Sequence, residues 1–109
     1  MPAMDFLAQV EKLREEHKAG TNQLMVGEDF TIDVRLANGV HTPRKHTCSR
    51  DEFTYVLSGE VEMWVEGEST LLTAGQGFLV EAGRLHNTYP KPGASWLLVA
   101  KGHEHVYFE

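Results

Sequence analysis

The chain has 109 residues, of which 41% are hydrophobic, enough for one domain with a core that needs no disulfides. Sixteen acidic against ten basic residues give a net charge of −6, which argues against nucleic acid or an anionic membrane as a partner. The single cysteine cannot form an internal disulfide, no apolar run approaches the roughly 20 residues that span a bilayer, and the N-terminal segment lacks a signal-peptide core. We therefore expect a cytoplasmic protein without a membrane partner.

The first segment, from Met4 to Ala19, has the pattern of an amphipathic helix on the surface of a larger body. Asp5 can cap its start and Gly20 can end it. Apolar or weakly polar side chains recur along one face at helical spacing: Phe6, Val10, Leu13 and His17. The opposite face is charged. We assign residues 1–20 to a helical extension and residues 21–109 to a single β domain.

From Phe30 onward the hydrophobic period changes to two, and the pair Asn38-Gly39 predicts a turn. Short β-rich runs then alternate with turn signals, and "SWLLVAK" and "EHVYF" supply two late strands. The turn signals are Ser58-Gly59, Glu66-Gly67, Ala74-Gly75, Ala82-Gly83 and Pro90 to Gly93. Because this spacing leaves no room for crossover helices, it predicts an all-β, antiparallel sandwich or barrel.

The stretch "KHTCSRDEF" carries the candidate chemistry. Strand alternation places a group of alternate residues on one face: Arg44, His46, Cys48 and Arg50. Glu52 begins the next strand, and His86 begins a later strand with Arg84 on its face. Histidine, cysteine and glutamate so arranged are candidate metal ligands.

The sequence resembles the cupins, small jelly-roll barrels with two conserved motifs. His46, Cys48, Glu52 and Gly59 fit the first motif, with the thiol where a second histidine usually stands. Gly75, Gly83 and His86 fit the second motif, with Glu81 in place of a proline and Pro90 in place of an asparagine. The match covers roughly residues 39 to 90. The resemblance implies a jelly-roll β-barrel preceded by a short helix.

The resemblance also implies a divalent metal, Fe, Zn, Mn or Ni, held by His46, Glu52 and His86, with Cys48 as a fourth ligand. Two imidazoles and a carboxylate with open positions suit non-haem iron chemistry, whereas a thiolate favours zinc or iron and closes the shell. Three alternatives stay open: Cys48 is a ligand, it is a small buried filler beside a three-ligand site, or the metal is absent. His41 is a possible substitute ligand.

Arg44 and Arg84 are candidates for orienting a carboxylate or enolate oxygen of a substrate. Their alternative role is ion pairing with Glu81 or Asp51. His103 and His105 also have ligand-like spacing, but without a third partner in sequence we expect them to be exposed.

The function these observations favour is a metal-dependent enzyme of oxygenase, isomerase or lyase type, acting on a small carbonyl, enol or carboxylate compound. The alternative is a non-catalytic barrel that binds a small ligand, with a structural metal or none. Trp64 shares a strand face with Glu62 and Glu66, which indicates a covered surface. We expect either a homodimer interface there or a cover formed by the N-terminal helix.

Overall fold

The computed structural model describes residues 5–16, 20–26, 30–37, 44–101 and 106–108, with only the backbone at 20–26 and 101. One helix precedes ten strands in the described chain. The elements are α1 (Phe6–Glu15), β1 (Gly20–Val26), β2 (Phe30–Leu36), β3 (His46–Cys48), β4 (Glu52–Ser58), β5 (Glu60–Val65), β6 (Glu68–Thr73), β7 (Gly77–Val80), β8 (His86–Pro90), β9 (Ser95–Lys101) and β10 (Val106–Phe108).

The strands form two five-stranded sheets with all pairings antiparallel, which confirms the predicted jelly-roll barrel. Sheet A has the order β1-β2-β9-β4-β7, and sheet B has the order β10-β3-β8-β5-β6. Strand β1 was not predicted, because "GTNQLMV" does not alternate between apolar and polar residues. It pairs with β2 along the edge of sheet A.

Helix α1 begins as predicted, since the Ala8 amide donates to the Asp5 side chain at 3.0 Å. The helix ends at Glu15 rather than at Ala19. No apolar side chain follows Leu13 at helical spacing, so further turns have no hydrophobic face to bury. His17, predicted to extend the stripe, lies outside the described residues. No helix in the described chain is long and apolar enough to cross a membrane.

Helix α1 covers the outer face of sheet A. Val10 and Leu13 are buried there in a cluster with side chains of β2 and β9: Val34, Leu36 and Leu97. A second cluster fills the interior between the sheets, where Val56, Val61 and Met63 are almost completely buried. Both faces of sheet A are therefore covered. Because the apolar residues of β2 face the helix, its polar residues lie on the inner face of the sheet.

Trp64 lies on β5 in sheet B, away from the sheet that α1 covers. The Lys45 ammonium lies 4.3 Å from the centre of the Trp64 ring, in a cation–π contact. The helix therefore does not cover this tryptophan in the described structure, and its part in a homodimer interface stays a prediction.

Tight turns connect the strands at the predicted glycines of the described chain, whereas the turn predicted at Asn38-Gly39 lies outside the described residues. Between β5 and β6, Glu66 and Gly67 both have positive φ, 46° and 94°, as a two-residue hairpin turn requires. Before β8, Gly83 has a φ of 81° and Arg84 donates its amide to the Glu81 carbonyl at 3.3 Å. This second turn leads directly into His86.

Candidate metal centre

The chain crosses from one sheet to the other at the "HTCSRDE" segment. Strand β3 brings His46 and Cys48 from sheet B, and Glu52 opens β4 in sheet A after a bend of three residues. Asp51 fixes the bend, because its Oδ1 accepts the Ala82 amide at 2.8 Å. One short segment thus supplies candidate ligands from both walls of the barrel.

The turn before β8 is hydrogen-bonded to the segment in which the chain crosses between the sheets. The Gly83 amide donates to the Cys48 carbonyl at 2.9 Å, which aligns β8 beside β3. His46 and His86 are paired in register, and their ring centroids lie 4.3 Å apart. The second histidine therefore reaches the first through strand pairing, although 40 positions separate them in sequence.

Four candidate ligand atoms converge at this point. One atom each from His46, Cys48, Glu52 and His86 lies within 4.8 Å of all the others. Metal–ligand distances of about 2.0–2.3 Å place the ligand atoms of a tetrahedral shell about 3.3–3.8 Å apart. The most widely separated of the four side chains would therefore draw together by about 1 Å to form such a shell. Cys48, Glu52 and His86 are buried.

Both histidines are anchored in the same way. The Nδ1 atom of each ring lies 2.9 Å from a backbone carbonyl two residues earlier, that of Arg44 for His46 and that of Arg84 for His86. A carbonyl only accepts, so Nδ1 carries the proton and donates in each case. Such bonds fix the tautomer that leaves the Nε2 lone pair for a metal. The donor set and its supports thus fit a divalent metal ion.

Without the ion, Glu52 holds the cluster together. Its Oε1 accepts from the Cys48 thiol at 3.2 Å and from His86 Nε2 at 3.0 Å. Burial favours the neutral acid, yet these two hydrogen bonds and the charges of His86 and His46 outweigh it and lower the pKa of Glu52 from its ordinary value of 4.5. The site therefore keeps an anionic carboxylate at neutral pH, as a cation requires.

The cluster opens into a cavity of about 90 Å³ between the two sheets. Its wall is formed by polar and apolar side chains: Arg35, His46, Glu52, Thr54, Met63, Val80, His86, Asn87, Thr88, Pro90, Trp96 and Leu98. Pockets for drug-sized ligands run to about 300–1,000 Å³, so this cavity suits a molecule of only a few heavy atoms.

The two predicted substrate-orienting arginines lie elsewhere. The Arg44 guanidinium carbon is 5.0 Å from the centre of the Phe108 ring. Arg84 is half exposed, and its Nε lies 3.9 Å from Glu66 Oε1, rather than beside Glu81 or Asp51. Neither belongs to the cavity wall of the described chain. Their role toward a substrate stays a prediction. His41, His103 and His105 fall outside the described residues.

Arg35 is a cavity residue that the sequence did not reveal as one. It stands in "FTIDVRL", where alternation assigns Ile32, Val34 and Leu36 to the core and Asp33 and Arg35 to solvent. In the structure the apolar residues face α1, and Arg35 lines the cavity. The only signal would have been recognition that α1 covers the outer face of this strand.

The fold and the cluster together define a jelly-roll barrel with a group of side chains that can hold a metal ion at one end of its interior. A family model of the cupin domain matches residues 33–100, and the chain belongs to that family. This confirms the resemblance seen in the two sequence motifs. No curated protein sequence matches the chain.

Solved structures of proteins from several organisms share the fold. A Thermus thermophilus protein has a TM-score of 0.73 and 24% identity, covering 94% of this chain and 97% of its own. The polyketide cyclase RemF from Streptomyces resistomycificus has a TM-score of 0.68 and 19% identity, covering 81% and 68%. The DMSP lyase DddQ from Ruegeria pomeroyi has a TM-score of 0.66 and 18% identity, covering 81% and 51%. At such identities the likeness concerns the fold alone.

Proposed function

We propose that this cupin is a metal-dependent enzyme that acts on a small molecule whose carbonyl, enol or carboxylate oxygen chelates the metal. The observation that carries the proposal is the matched anchoring of His46 and His86. Each donates Nδ1–H to a backbone carbonyl and keeps Nε2 for the ion, beside the buried carboxylate of Glu52. Histidines held in this manner are typical of metal ligands with oriented supports.

The metal, when bound, supplies Lewis acidity and, if it is iron, the capacity to activate dioxygen. The protein contributes the surroundings. Met63, Val80 and Trp96 form apolar parts of the cavity wall and limit water near the reacting atoms. Thr54 and Thr88 add polar groups to the wall that can orient a substrate. Oxygenase, isomerase and lyase chemistry are all compatible with these groups.

A second candidate function is a non-catalytic barrel with a structural metal. Cys48 supports it, because its buried Sγ belongs to the cluster. Four protein ligands on zinc fill a tetrahedral shell and leave no position for a substrate. The two functions thus differ in whether the thiolate coordinates and whether one position of the shell exchanges.

The first experiment counts metal per chain in purified wild type, His86→Ala and Cys48→Ser, with Glu62→Gln as a control on an exposed strand position. We expect near-stoichiometric metal in the wild type and the control, and its loss in His86→Ala. Retention in Cys48→Ser would support a three-ligand, open site. A chain that takes up no metal, even after reconstitution, would overturn the metalloenzyme proposal.

Cobalt substitution then decides between the two functions. A thiolate ligand gives a near-ultraviolet charge-transfer band that Cys48→Ser abolishes. An open position shows as a change in the visible cobalt spectrum when azide is added. A thiolate band together with a spectrum that azide does not change would favour the structural metal.

A further inference from the structure

Arg35 is a charged residue on the inner face of sheet A, and its side chain is 39% exposed. Its neighbours Val34 and Leu36 are buried under α1, so strand alternation turns Asp33 and Arg35 toward the interior between the sheets. Cross-strand pairing places Arg35 beside Trp96, which also lines the cavity. The side chain is therefore part of the cavity wall and stays partly accessible to solvent.

The ion pair with Asp33 leaves part of the hydrogen-bonding capacity of Arg35 unused. One terminal nitrogen, Nη2, lies 3.5 Å from Asp33 Oδ2, a distance at the limit of a hydrogen bond. The Nε atom of Arg35 and Oδ1 of Asp33 are buried and have no hydrogen-bond partner among the described residues. A buried polar atom without a partner is destabilising. Packing and the contact with Asp33 therefore do not by themselves explain the arginine.

Arg35 and the metal cluster contribute to the wall of the same cavity. The strand register places Thr31, Ala100 and Glu52 side by side on β2, β9 and β4. Arg35 is four residues beyond Thr31 on β2, so its Cα lies about 10 Å across and about 13 Å along the sheet from that of Glu52. Both side chains reach into the same cavity and shorten this separation. A molecule bound between these two side chains would have one end near Arg35 and the other near Glu52.

We propose that Arg35 binds the carboxylate of the substrate while a second oxygen function of the same molecule meets the metal cluster. Guanidinium and carboxylate form paired, charge-assisted hydrogen bonds, and the ion pair with Asp33 at 3.5 Å restrains the orientation of the guanidinium. The inference rests on the proposed function and narrows it to small carboxylates that carry an oxygen group at the other end. The cavity of about 90 Å³ restricts them to a few heavy atoms.

Calorimetric titration of cobalt-loaded protein tests the assignment with three probes: acetate, malonate and succinate. The variants are Arg35→Met and, as a control, Lys12→Met, which removes the same charge from an exposed position of α1. We expect a dicarboxylate to bind the wild type and Lys12→Met equally, and to bind Arg35→Met at least tenfold more weakly. Acetate, which cannot reach both ends, should bind more weakly than the better dicarboxylate.

The role of Arg35 can be separated from a structural one. If Arg35→Met melts at a lower temperature but binds malonate and succinate like the wild type, Arg35 only pairs with Asp33 and the inference is wrong. If the cobalt-loaded wild type binds none of the three probes, the inference is also wrong. Because cobalt per chain is counted in each sample, these outcomes differ from a failure of the metal site itself.

A measurement on the wild type covers the case in which Arg35→Met does not fold. The Nε–H resonance of Arg35, assigned through its side-chain carbons, should shift when malonate or succinate is added to zinc-loaded protein. Arg35→Lys, which keeps the charge but loses the planar fork, should bind with intermediate affinity. An Nε–H resonance that stays in place at saturating dicarboxylate would contradict the proposal.

Discussion

Replacing Glu52 by glutamine tests whether the buried carboxylate stabilises the metal-free protein. The side chain is 9% exposed, and its partner His86 is 3% exposed. His86 donates Nδ1–H to the Arg84 carbonyl, and its Nε2 lies 3.0 Å from Glu52 Oε1, which also accepts from the Cys48 thiol. Glu52→Gln replaces this anionic acceptor with a neutral amide. A hydrogen bond to a charged group contributes about 1.5–3 kcal/mol, and His86 can release a proton rather than remain charged without a counter-ion.

The assay is urea unfolding of chelator-treated protein at pH 7, with Glu62→Gln as the control. We expect Glu52→Gln to lose about 2 kcal/mol of unfolding free energy, which at about 4 °C per kcal/mol corresponds to a Tm lower by about 8 °C. The exposed control should change by no more than about 0.5 kcal/mol. Equal stability of Glu52→Gln and wild type would refute the argument, because the carboxylate would then be exchangeable for a neutral amide.

The same carboxylate predicts a dependence on pH. The pKa of Glu52 is lowered in the folded protein, so the native state binds fewer protons than the unfolded state in this range. Its contribution is fully present above the ordinary value of 4.5 and is lost as the pH falls through the folded pKa. Wild type should therefore lose stability on acidification below pH 4.5, and Glu52→Gln should lose less. Parallel pH profiles would contradict this sign.

Three further substitutions test the fold by urea or thermal unfolding. Gly59→Ala should destabilise by more than about 1 kcal/mol, because its φ is 75° and a Cβ would lie 3.0 Å from the Ala94 Cα. Met63→Ala should cost about 2–5 kcal/mol, because the side chain is 1% exposed in the interior cluster. Asp5→Ala should cost about 0.5–2 kcal/mol through the lost cap, and circular dichroism should show reduced helix content. Wild-type stability in any of them would contradict the packing or cap described.

Much of the fold follows from local sequence signals. The glycines at 59, 67, 75, 83 and 93 have positive φ, as turns at those positions require, and buried residues alternate with more exposed ones along most of β4 and β5. The ligand cluster could be predicted because His46 and Cys48 share a strand face and Glu52 opens the following strand. His86 was assigned to the cluster from the motif spacing. Its pairing with His46 joins residues far apart in sequence and produces no local sequence pattern.

The residues that sequence could not place are those whose surroundings depend on another element. Period-two alternation identifies two faces of β2 but does not say which one meets the cavity. Helix α1 covers the apolar face, so the polar face with Asp33 and Arg35 becomes interior. Arg44 and Arg84 share strand parity with the histidines. Each lies two residues before its strand begins, however, and its side chain is exposed at the surface. Strand parity predicts on which face of a strand a side chain lies, whereas the burial of that side chain depends on the tertiary structure.

The candidate metal site joins the two sheets, which has a consequence for folding. Three ligands belong to sheet B, while Glu52 belongs to sheet A. An ion that binds all of them requires the sheets to be packed, so it binds the native state and not the separated sheets. Its effect on stability is RT ln(1 + [M]/Kd), about 2.7 kcal/mol at a free metal concentration of 100 Kd. Metal should therefore raise Tm in the wild type and leave the Tm of His86→Ala nearly unchanged, a difference that a thermal scan measures without any knowledge of the substrate.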